Sequence, residues 1–191
     1  MSEKNISIII PTVNEKKRIG RLIDHLYQSD NGSLLEIIVA DGGSTDGTKE
    51  IAQSKGATLL EISRKGRAIQ MNEAVDYAHG EILYFLHADA YPPSSYLTDI
   101  REALDQGHPA GSYRFKFDTN RKMLGINSFF TRFGALVCRG GDQSMYISKD
   151  LFNEMGRFDE SYVIMEDFDF IRRFNKKHKF HVIQKDILIS D

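Results

Sequence analysis

The chain has 191 residues, 41% of them hydrophobic and 27% charged, enough for one domain that buries its own core without external staples. Its 25 basic and 27 acidic side chains nearly cancel, which removes the broad electrostatic warrant for a nucleic-acid partner. Cys138 is the only cysteine, so no intrachain disulfide can form and a reducing cytoplasm is the natural compartment.

The N-terminal Met1-Ser2-Glu3-Lys4-Asn5 is polar. No apolar run approaches the roughly 18 residues a bilayer span needs, so neither a signal peptide nor a transmembrane helix is expected. Ile6 to Ile10 reads as a buried strand that Pro11 stops. From Glu15 onward Ile19, Leu22, Ile23, Leu26 and Tyr27 follow the spacing of one helix face. Leu35 to Ala40 is the second strand. A short helix over Thr48 to Ser54, a strand over Thr58 to Ile62 and a helix over Gly66 to Ala78 follow, and Gly80 ends the last of these. Ile82 to Leu86 is a fourth apolar strand, then come the turn pair Pro92-Pro93 and a helix carrying Leu97, Ile100 and Leu104. This β-α alternation predicts an α/β fold with a mostly parallel sheet covered by helices on both faces.

The second half has a different texture. Tyr113, Phe115 and Phe117 alternate with Ser112, Arg114 and Lys116, the period of a half-exposed strand. Lys122 to Val137 reads as an apolar helix packed on the sheet. It carries Phe129, Phe130 and Phe133, which become a dimer contact or lipid-acceptor surface only if exposed. Gln143 to Ile147 is a strand, Lys149 to Met155 and Glu166 to Lys176 are helices, and Phe180 to Leu188 is the final strand. The chain stops at Ser190-Asp191 with no closing helix, and a further C-terminal piece is expected.

Polar clusters recur behind the strands. Asp41-Gly42-Gly43-Ser44-Thr45-Asp46-Gly47-Thr48 delivers an acid into a glycine-rich turn at the carboxyl edge of the sheet, where open α/β folds bind ligands; the same residue types also make an ordinary turn and helix cap. Pro11-Thr12-Val13-Asn14-Glu15 offers donors and acceptors after strand one, or an N-cap. Arg64-Lys65-Gly66-Arg67 sets cations at a helix start, which suits a diphosphate or makes a solvated turn. Asp89, after strand four, can hold a divalent cation against phosphate oxygens. Glu166-Asp167 follows the apolar Tyr162, Val163, Ile164 and Met165; one of the two acids could serve as a general base, although acids favour a helix start on electrostatic grounds alone.

In this order, PTVNE at 11–15, DGGSTDGT at 41–48, KGRAIQMN at 65–72, LHADA at 86–90, GGDQ at 140–143 and MEDFDF at 165–170 resemble the family 2 glycosyltransferases with the GT-A fold. The subgroup most similar in pattern is the bacterial one associated with radical-SAM and selenium-domain proteins. The resemblance implies that Pro11, Thr12, Val13 and Glu15 line a nucleoside pocket and that Asp41 hydrogen-bonds a base, uracil for preference. It implies that Arg67, with Lys65 as second candidate, faces the diphosphate, that Asp89 holds Mn2+ or Mg2+, and that Asp167 is the catalytic base. Glu166, Gly141, Asp142 and Gln143 fall on the donor-sugar and acceptor side, with Gln70 and Asn72 near the sugar-diphosphate by position. The family's usual Asp-x-Asp reads His87-Ala88-Asp89 here, and a non-ligand role is favoured for His87.

The implied activity is inverting transfer of a hexosyl group from a nucleotide-diphosphate sugar to the hydroxyl of a lipid, glycan or metabolite. The nucleotide-binding half would lie at about 1–90 and the acceptor half at about 91–191. The expected location is cytoplasmic, with attachment to the inner membrane face and homodimerisation left open. A non-catalytic nucleotide-sugar scaffold and a sugar nucleotidylyltransferase are the alternatives, the latter weakened by the lack of a glycine-rich basic loop after strand one. A dinucleotide oxidoreductase would want Gly-x-Gly-x-x-Gly there and finds none.

Overall fold

The computed structural model of the chain describes residues 5–30, 34–117 and 144–190. The first half is a run of β-α units: β1 (Ile6–Thr12), α1 (Ile19–Gln28), β2 (Leu34–Asp41), α2 (Thr48–Ser54), β3 (Thr58–Glu61), α3 (Arg67–Tyr77) and β4 (Ile82–Leu86). Then follow β5 (Ala90–Tyr91), α4 (Tyr96–Asp105), β6 (Ala110–Phe117), β7 (Ser144–Ser148), α5 (Lys149–Glu154), α6 (Glu166–Phe174) and β8 (His181–Ile189). They build one sheet in the order β3-β2-β1-β4-β7-β6-β8-β5.

Strands β1 to β4 are parallel to one another, as the alternation predicts. The far side is not: β7 runs antiparallel to both β4 and β6, β8 is parallel to β6, and β5 is antiparallel to β8. The sheet is therefore mostly parallel, as expected, with β7 and β5 running opposite to the other six strands. Strand β5, which the sequence pattern does not announce, exists because Ala90 and Tyr91 meet Ile189 and Leu188 at the end of β8.

Both faces are covered. Ile8, Ile10, Ile37 and Val39 point to the side that receives Ile19, Leu22, Ala52, Leu97 and Ile100 from α1, α2 and α4. Ile9, Ile38, Leu83 and Phe85 point to the other, against Ala68, Met71, Val75, Phe152, Phe170 and Phe174 from α3, α5 and α6. Period-2 alternation on a two-sided sheet thus turns a continuous apolar run into two cores.

Pro11 does not end β1. Thr12 accepts a hydrogen bond from the Gly42 amide at 2.9 Å, so its polar groups face β2. Those of Pro11 then face β4, whose pairing with β1 has already stopped at Ile9. The missing N–H falls where no ladder bond is needed. Strand β6 also departs from the half-exposed reading: Ser112 and Tyr113, on opposite faces, are both buried because the strand is interior to the sheet. The expected helix over 122–137, Cys138 and Gly141, Asp142 and Gln143 lie outside the described residues.

At the opposite edge, the Gly80 amide donates to Ser7 Oγ at 2.8 Å, and Ser7 Oγ donates to Glu36 Oε1 at 2.7 Å. A Cβ at Gly80 would lie 2.6 Å from both Ser7 N and Ser7 Oγ and 2.9 Å from Asn5 O. Much of that contact is backbone that cannot step aside, so Gly80→Ala is expected to cost about 1–3 kcal/mol. Urea unfolding checks this; an unchanged midpoint would show that the turn relaxes freely.

Candidate active site

Four loops meet at the carboxyl ends of β1, β2, β3 and β4. Asp41, the last residue of β2, is 1% exposed. Its Oδ1 accepts from the amides of Gly43 at 3.0 Å and Ser44 at 2.7 Å. Its Oδ2 accepts from Thr12 Oγ1 at 3.1 Å and from Ser44 Oγ. The loop after β1 is latched to the loop after β2: the Asn14 amide donates to Ser44 Oγ at 2.8 Å, the Thr45 amide to Asn14 Oδ1 at 3.0 Å, and the Lys16 amide to Asp46 Oδ2 at 3.1 Å. Asn14 takes a left-handed conformation (φ 57°) to make this latch, a conformation Asn tolerates better than most residues. Asp46 also accepts from the Thr48 amide at 3.0 Å, satisfying an otherwise orphan donor at the start of α2.

Beneath the latch lies Gln70 of α3, 4% exposed. Its Nε2 donates to Thr12 O at 2.9 Å and Ala40 O at 2.7 Å, tying the ends of β1 and β2 together. Asn72, two residues on, faces elsewhere. Its side chain donates to Phe158 O at 2.9 Å and accepts from the Phe158 amide at 3.2 Å, so it anchors the chain leading to α6 rather than facing a sugar.

These elements enclose a cavity of about 410 Å³ lined by Pro11, Thr12, Val13, Glu15, Gly66, Arg67, Gln70, His87, Ala88 and Asp89. It brings together Pro11, Thr12, Val13, Glu15, Arg67 and Asp89, all expected from sequence. Gln70, only loosely placed by its position, and His87 join them. Asp41 supports the wall from behind and is not among the lining residues. Lys65 is exposed outside it, and Arg64 turns away to Glu73 and Glu160, at 2.7 and 2.8 Å.

Arg67 is the hinge between this cavity and the acids of α6. It is the first residue of α3, after Gly66 (φ 138°), and its guanidinium takes Glu166 in a two-pronged pair: Nε to Oε1, and Nη2 to Oε2 at 3.2 Å. Burial opposes the Arg67 charge, but Glu166, then Asp167 and Asp89, raise its pKa above the ordinary value. Glu166 is fully buried, and Asp167 and Asp169 nearly so. All three sit in the first turn of α6, where the helix dipole favours anions. Asp167 Oδ1 accepts from the Phe168 amide at 2.7 Å. Asp169 is structural: it binds Arg172 at 2.8 Å and Arg173 at 2.7 Å, and Arg173 in turn donates to the carbonyls of Met155 and Arg157. Burial raises the Asp169 carboxyl, and the two arginines overcome that and hold it below its usual value.

Asp89 lies half-buried at the mouth of β4, its carbonyl accepting from the Ser190 amide at 2.9 Å. Burial raises its carboxyl above the ordinary range, Glu15 adds to this, and Arg18 and Arg67 oppose it. A cavity lined by two carboxylates, one of them poorly solvated, suits a cation. Among the described residues no group of three His, Cys, Asp or Glu could cage a metal. One or two carboxylates completed by phosphate oxygens and water is nonetheless the ordinary arrangement for Mg2+, and Asp89 fits it.

An open α/β sheet with a polar crevice at the carboxyl ends of its parallel strands is common to several nucleotide-binding folds, and solved structures show that this one is GT-A. Staphylococcus aureus TarS 1–349, determined with UDP, superposes with TM-score 0.76 at 20% identity, covering 98% of this chain and 60% of that one. Glucosyl-3-phosphoglycerate synthase from Mycobacterium tuberculosis, determined with Mn2+, UDP and phosphoglyceric acid, gives TM-score 0.72 at 20% identity over 97% of this chain and 69% of that one. The model of glycosyl transferase family 2 matches residues 7–181, and the chain belongs to that family. A PGL/p-HBAD biosynthesis glycosyltransferase from Mycobacterium bovis BCG is 29% identical over 92% of this chain and 72% of its own length. Glycosyltransferase AglE from Haloferax volcanii is 33% identical over 48% of this chain, and that match spans 33% of AglE. No helix among the described residues is long and apolar enough to cross a membrane.

Proposed function

We propose that the chain transfers a hexosyl group, with inversion, from a nucleotide-diphosphate sugar to an acceptor hydroxyl, and that the nucleotide is uridine-based. The observation that carries this reading is the single cavity in which Thr12, Val13 and Glu15 share walls with Arg67 and Asp89, and which Arg67 ties to the acidic first turn of α6. The UDP in the TarS and glucosyl-3-phosphoglycerate synthase structures supports the choice of nucleotide. By its motifs the chain groups with the radical-SAM- and selenium-domain-associated members of the family, and the single cysteine suits a cytoplasmic location.

The nucleoside lies along Pro11 to Glu15, over the latched loops, and the diphosphate faces Arg67 at the start of α3, where charge and helix dipole both favour phosphate. Asp167 accepts the proton of the acceptor hydroxyl as its oxygen forms the new bond to the anomeric carbon. The bond from that carbon to the phosphate oxygen breaks on the opposite face, and the nucleoside diphosphate leaves with the electron pair. One displacement inverts the configuration. Arg67 stabilises the charge that grows on the leaving diphosphate. A Mn2+ or Mg2+ ion held by Asp89 would add Lewis-acid neutralisation of the same phosphate oxygens.

Calorimetric titration with UDP, GDP and CDP, with and without Mn2+, tests this reading. UDP is expected to bind best and to require Mn2+; no binding of any nucleotide would overturn it. The pH dependence follows from Asp89. Only its ionised form holds a cation, and its carboxyl is raised, so the Mn2+-dependent affinity is expected to fall on acidification before ordinary carboxylates titrate. Asp89→Asn should lose the gain in UDP affinity that Mn2+ brings, and with it that pH step. A raised carboxyl is one whose charge costs folding energy near neutral pH, so the same variant should be at least as stable as the wild type.

A further inference from the structure

Residues 161–165 form an arch between two acids that are both tied to the start of α3. Glu160 accepts from Arg64 Nη1 at 2.8 Å and from Asn72 Nδ2 at 3.2 Å, and Glu166 takes the paired contact with Arg67. Between these anchors run Tyr162, Val163, Ile164 and Met165, all exposed. Val163 and Ile164 are the two most exposed large apolar side chains among the described residues. Scattered apolar side chains on a surface are ordinary, but four in succession on a tethered arch are not. Met165 closes the arch in the left-handed conformation (φ 67°), which few residues of its size adopt, and the tethered ends leave the apolar side chains standing in solvent.

The helix that follows turns its acids inward and its cations outward. Glu166, Asp167 and Asp169 are buried, whereas Arg172 keeps 57% of its side chain exposed while paired with Asp169. Past the helix end, Lys176, Lys177 and Lys179 are exposed and enter no ion pair among the described residues. The amides of Lys176 and Lys177 donate back to the carbonyls of Arg173 and Phe174 at 3.3 and 3.0 Å, so the winding continues past the last helical residue. Met165, the half-buried Phe168, Arg172 and Lys176 therefore recur at the spacing of one helix face. With nine residues α6 is about 14 Å long, which sets the apolar arch and the basic end at the two ends of one ridge. This positive charge is local, since the whole chain carries a formal net charge of −2.

Protruding aliphatic groups and unpaired cations on one ridge fit one kind of surface. A protein partner would need a pocket matched to each side chain. A bilayer yields to whatever shape enters it, and it offers apolar depth beneath a layer of phosphates. We propose that Tyr162, Val163, Ile164 and Met165, with Lys176, Lys177 and Lys179, dock the protein on an anionic lipid bilayer. The arch enters the headgroup layer and the lysines meet its phosphates. Tyr162, with an apolar ring and a polar hydroxyl, suits the boundary. Asp167 follows Met165 by two residues, so under the transfer reading above the bilayer lies beside the proposed base, where a lipid-borne hydroxyl would arrive. The docking itself does not depend on that reading.

The chain contains no tryptophan, so Val163→Trp supplies a single reporter on the arch. With vesicles of phosphatidylcholine and phosphatidylglycerol in equal parts, its emission should move to shorter wavelength and be quenched by brominated acyl chains. Both changes should fade with phosphatidylcholine alone and at raised salt. In co-sedimentation with the anionic vesicles, Lys176→Gln combined with Lys177→Gln should weaken binding by roughly fivefold for each charge removed. Val163→Ser combined with Ile164→Ser should weaken it by about tenfold. All four positions are exposed and none lines the cavity, so thermal unfolding of both paired variants should match the wild type. An emission unmoved by anionic vesicles, equal binding to neutral and anionic vesicles, or binding that survives both pairs of substitutions would overturn the proposal. An equal emission shift with soluble polyglutamate would assign the surface to an acidic protein and overturn it as well. If the paired variants do not fold, the emission of Val163→Trp decides alone. None of these outcomes bears on the nucleotide reading, which the UDP titration decides separately.

Discussion

Asp167→Asn is expected to lower sugar transfer by about 10²- to 10⁴-fold, the usual contribution of a positioned general base, while UDP affinity in the presence of Mn2+ changes little. The substitution is close to isosteric, and an amide oxygen can still accept from the Phe168 amide, which Asp167 Oδ1 meets at 2.7 Å. What is lost for folding is one anion in the first turn of α6, worth about 0.3–1 kcal/mol, and Glu166 and Asp169 remain in the same turn. A fall in transfer with intact nucleotide binding therefore reports on chemistry. Transfer measured with UDP-sugars beside calorimetry with UDP separates the two effects. A variant that transfers sugar at the wild-type rate would remove Asp167 from the mechanism.

Arg67→Ala should be damaging in two ways. Glu166 has a side chain only 1% exposed, and Arg67 holds it through two contacts. Removing the cation strands a buried carboxylate, which costs roughly 3–5 kcal/mol in buried pairs. Arg67 itself is a third exposed, so the lower end, about 3 kcal/mol, is expected. For a domain of this size that corresponds to a melting temperature lower by about 6–12 °C. UDP affinity should fall as well, since the proposed reading sets the same guanidinium against the diphosphate. Arg67→Met combined with Glu166→Met separates the roles: a desolvated ion pair exchanged for packed apolar groups is often neutral or stabilising, so stability should return and UDP affinity should not. A single Arg67→Ala variant as stable as the wild type would show that the pair does not hold the start of α6.

The parallel half of the fold was legible because hydrophobic periodicity is a local property. The short helix α2 over Thr48–Ser54 and the strand β4 over Ile82–Leu86 coincide with their expected limits. Strand direction on the far side was not legible, since β7 pairs antiparallel with β4 through contacts more than fifty residues apart in sequence, about which local pattern is silent. Strand β5 is two residues long and is defined only by its partner.

At the site, the sequence marked the strand ends and thereby the cavity wall. It could not say which way side chains turn. Asp41 is enclosed by four donors from its own loops, while Gln70 lines the cavity, and neither disposition is written in the local sequence. Glu166, expected at the donor-sugar and acceptor side, is fully buried and paired with Arg67, a partner ninety-nine residues away that local pattern does not name. Among MEDFDF, Asp169 had no assigned part, and its arginine partners three and four residues on were the i, i+3 and i, i+4 signal that could have revealed a structural one. The neighbouring Val163 and Ile164, apolar in the sequence, stand 84% and 68% exposed, a surface outcome that composition does not foresee.

The latch between the loops after β1 and β2 joins residues about thirty positions apart through Asn14, Ser44, Thr45, Lys16 and Asp46. Each of these bonds runs from a backbone amide of one loop to a side chain of the other, and an amide persists whatever residue carries it. The joint is therefore held by three side chains, Asn14, Ser44 and Asp46: a change at any of them undoes one clasp, while Lys16 and Thr45 are free to vary without loosening it. Grafting either loop alone from a relative with a different nucleotide preference would import half of a joint and leave the other half without its partner.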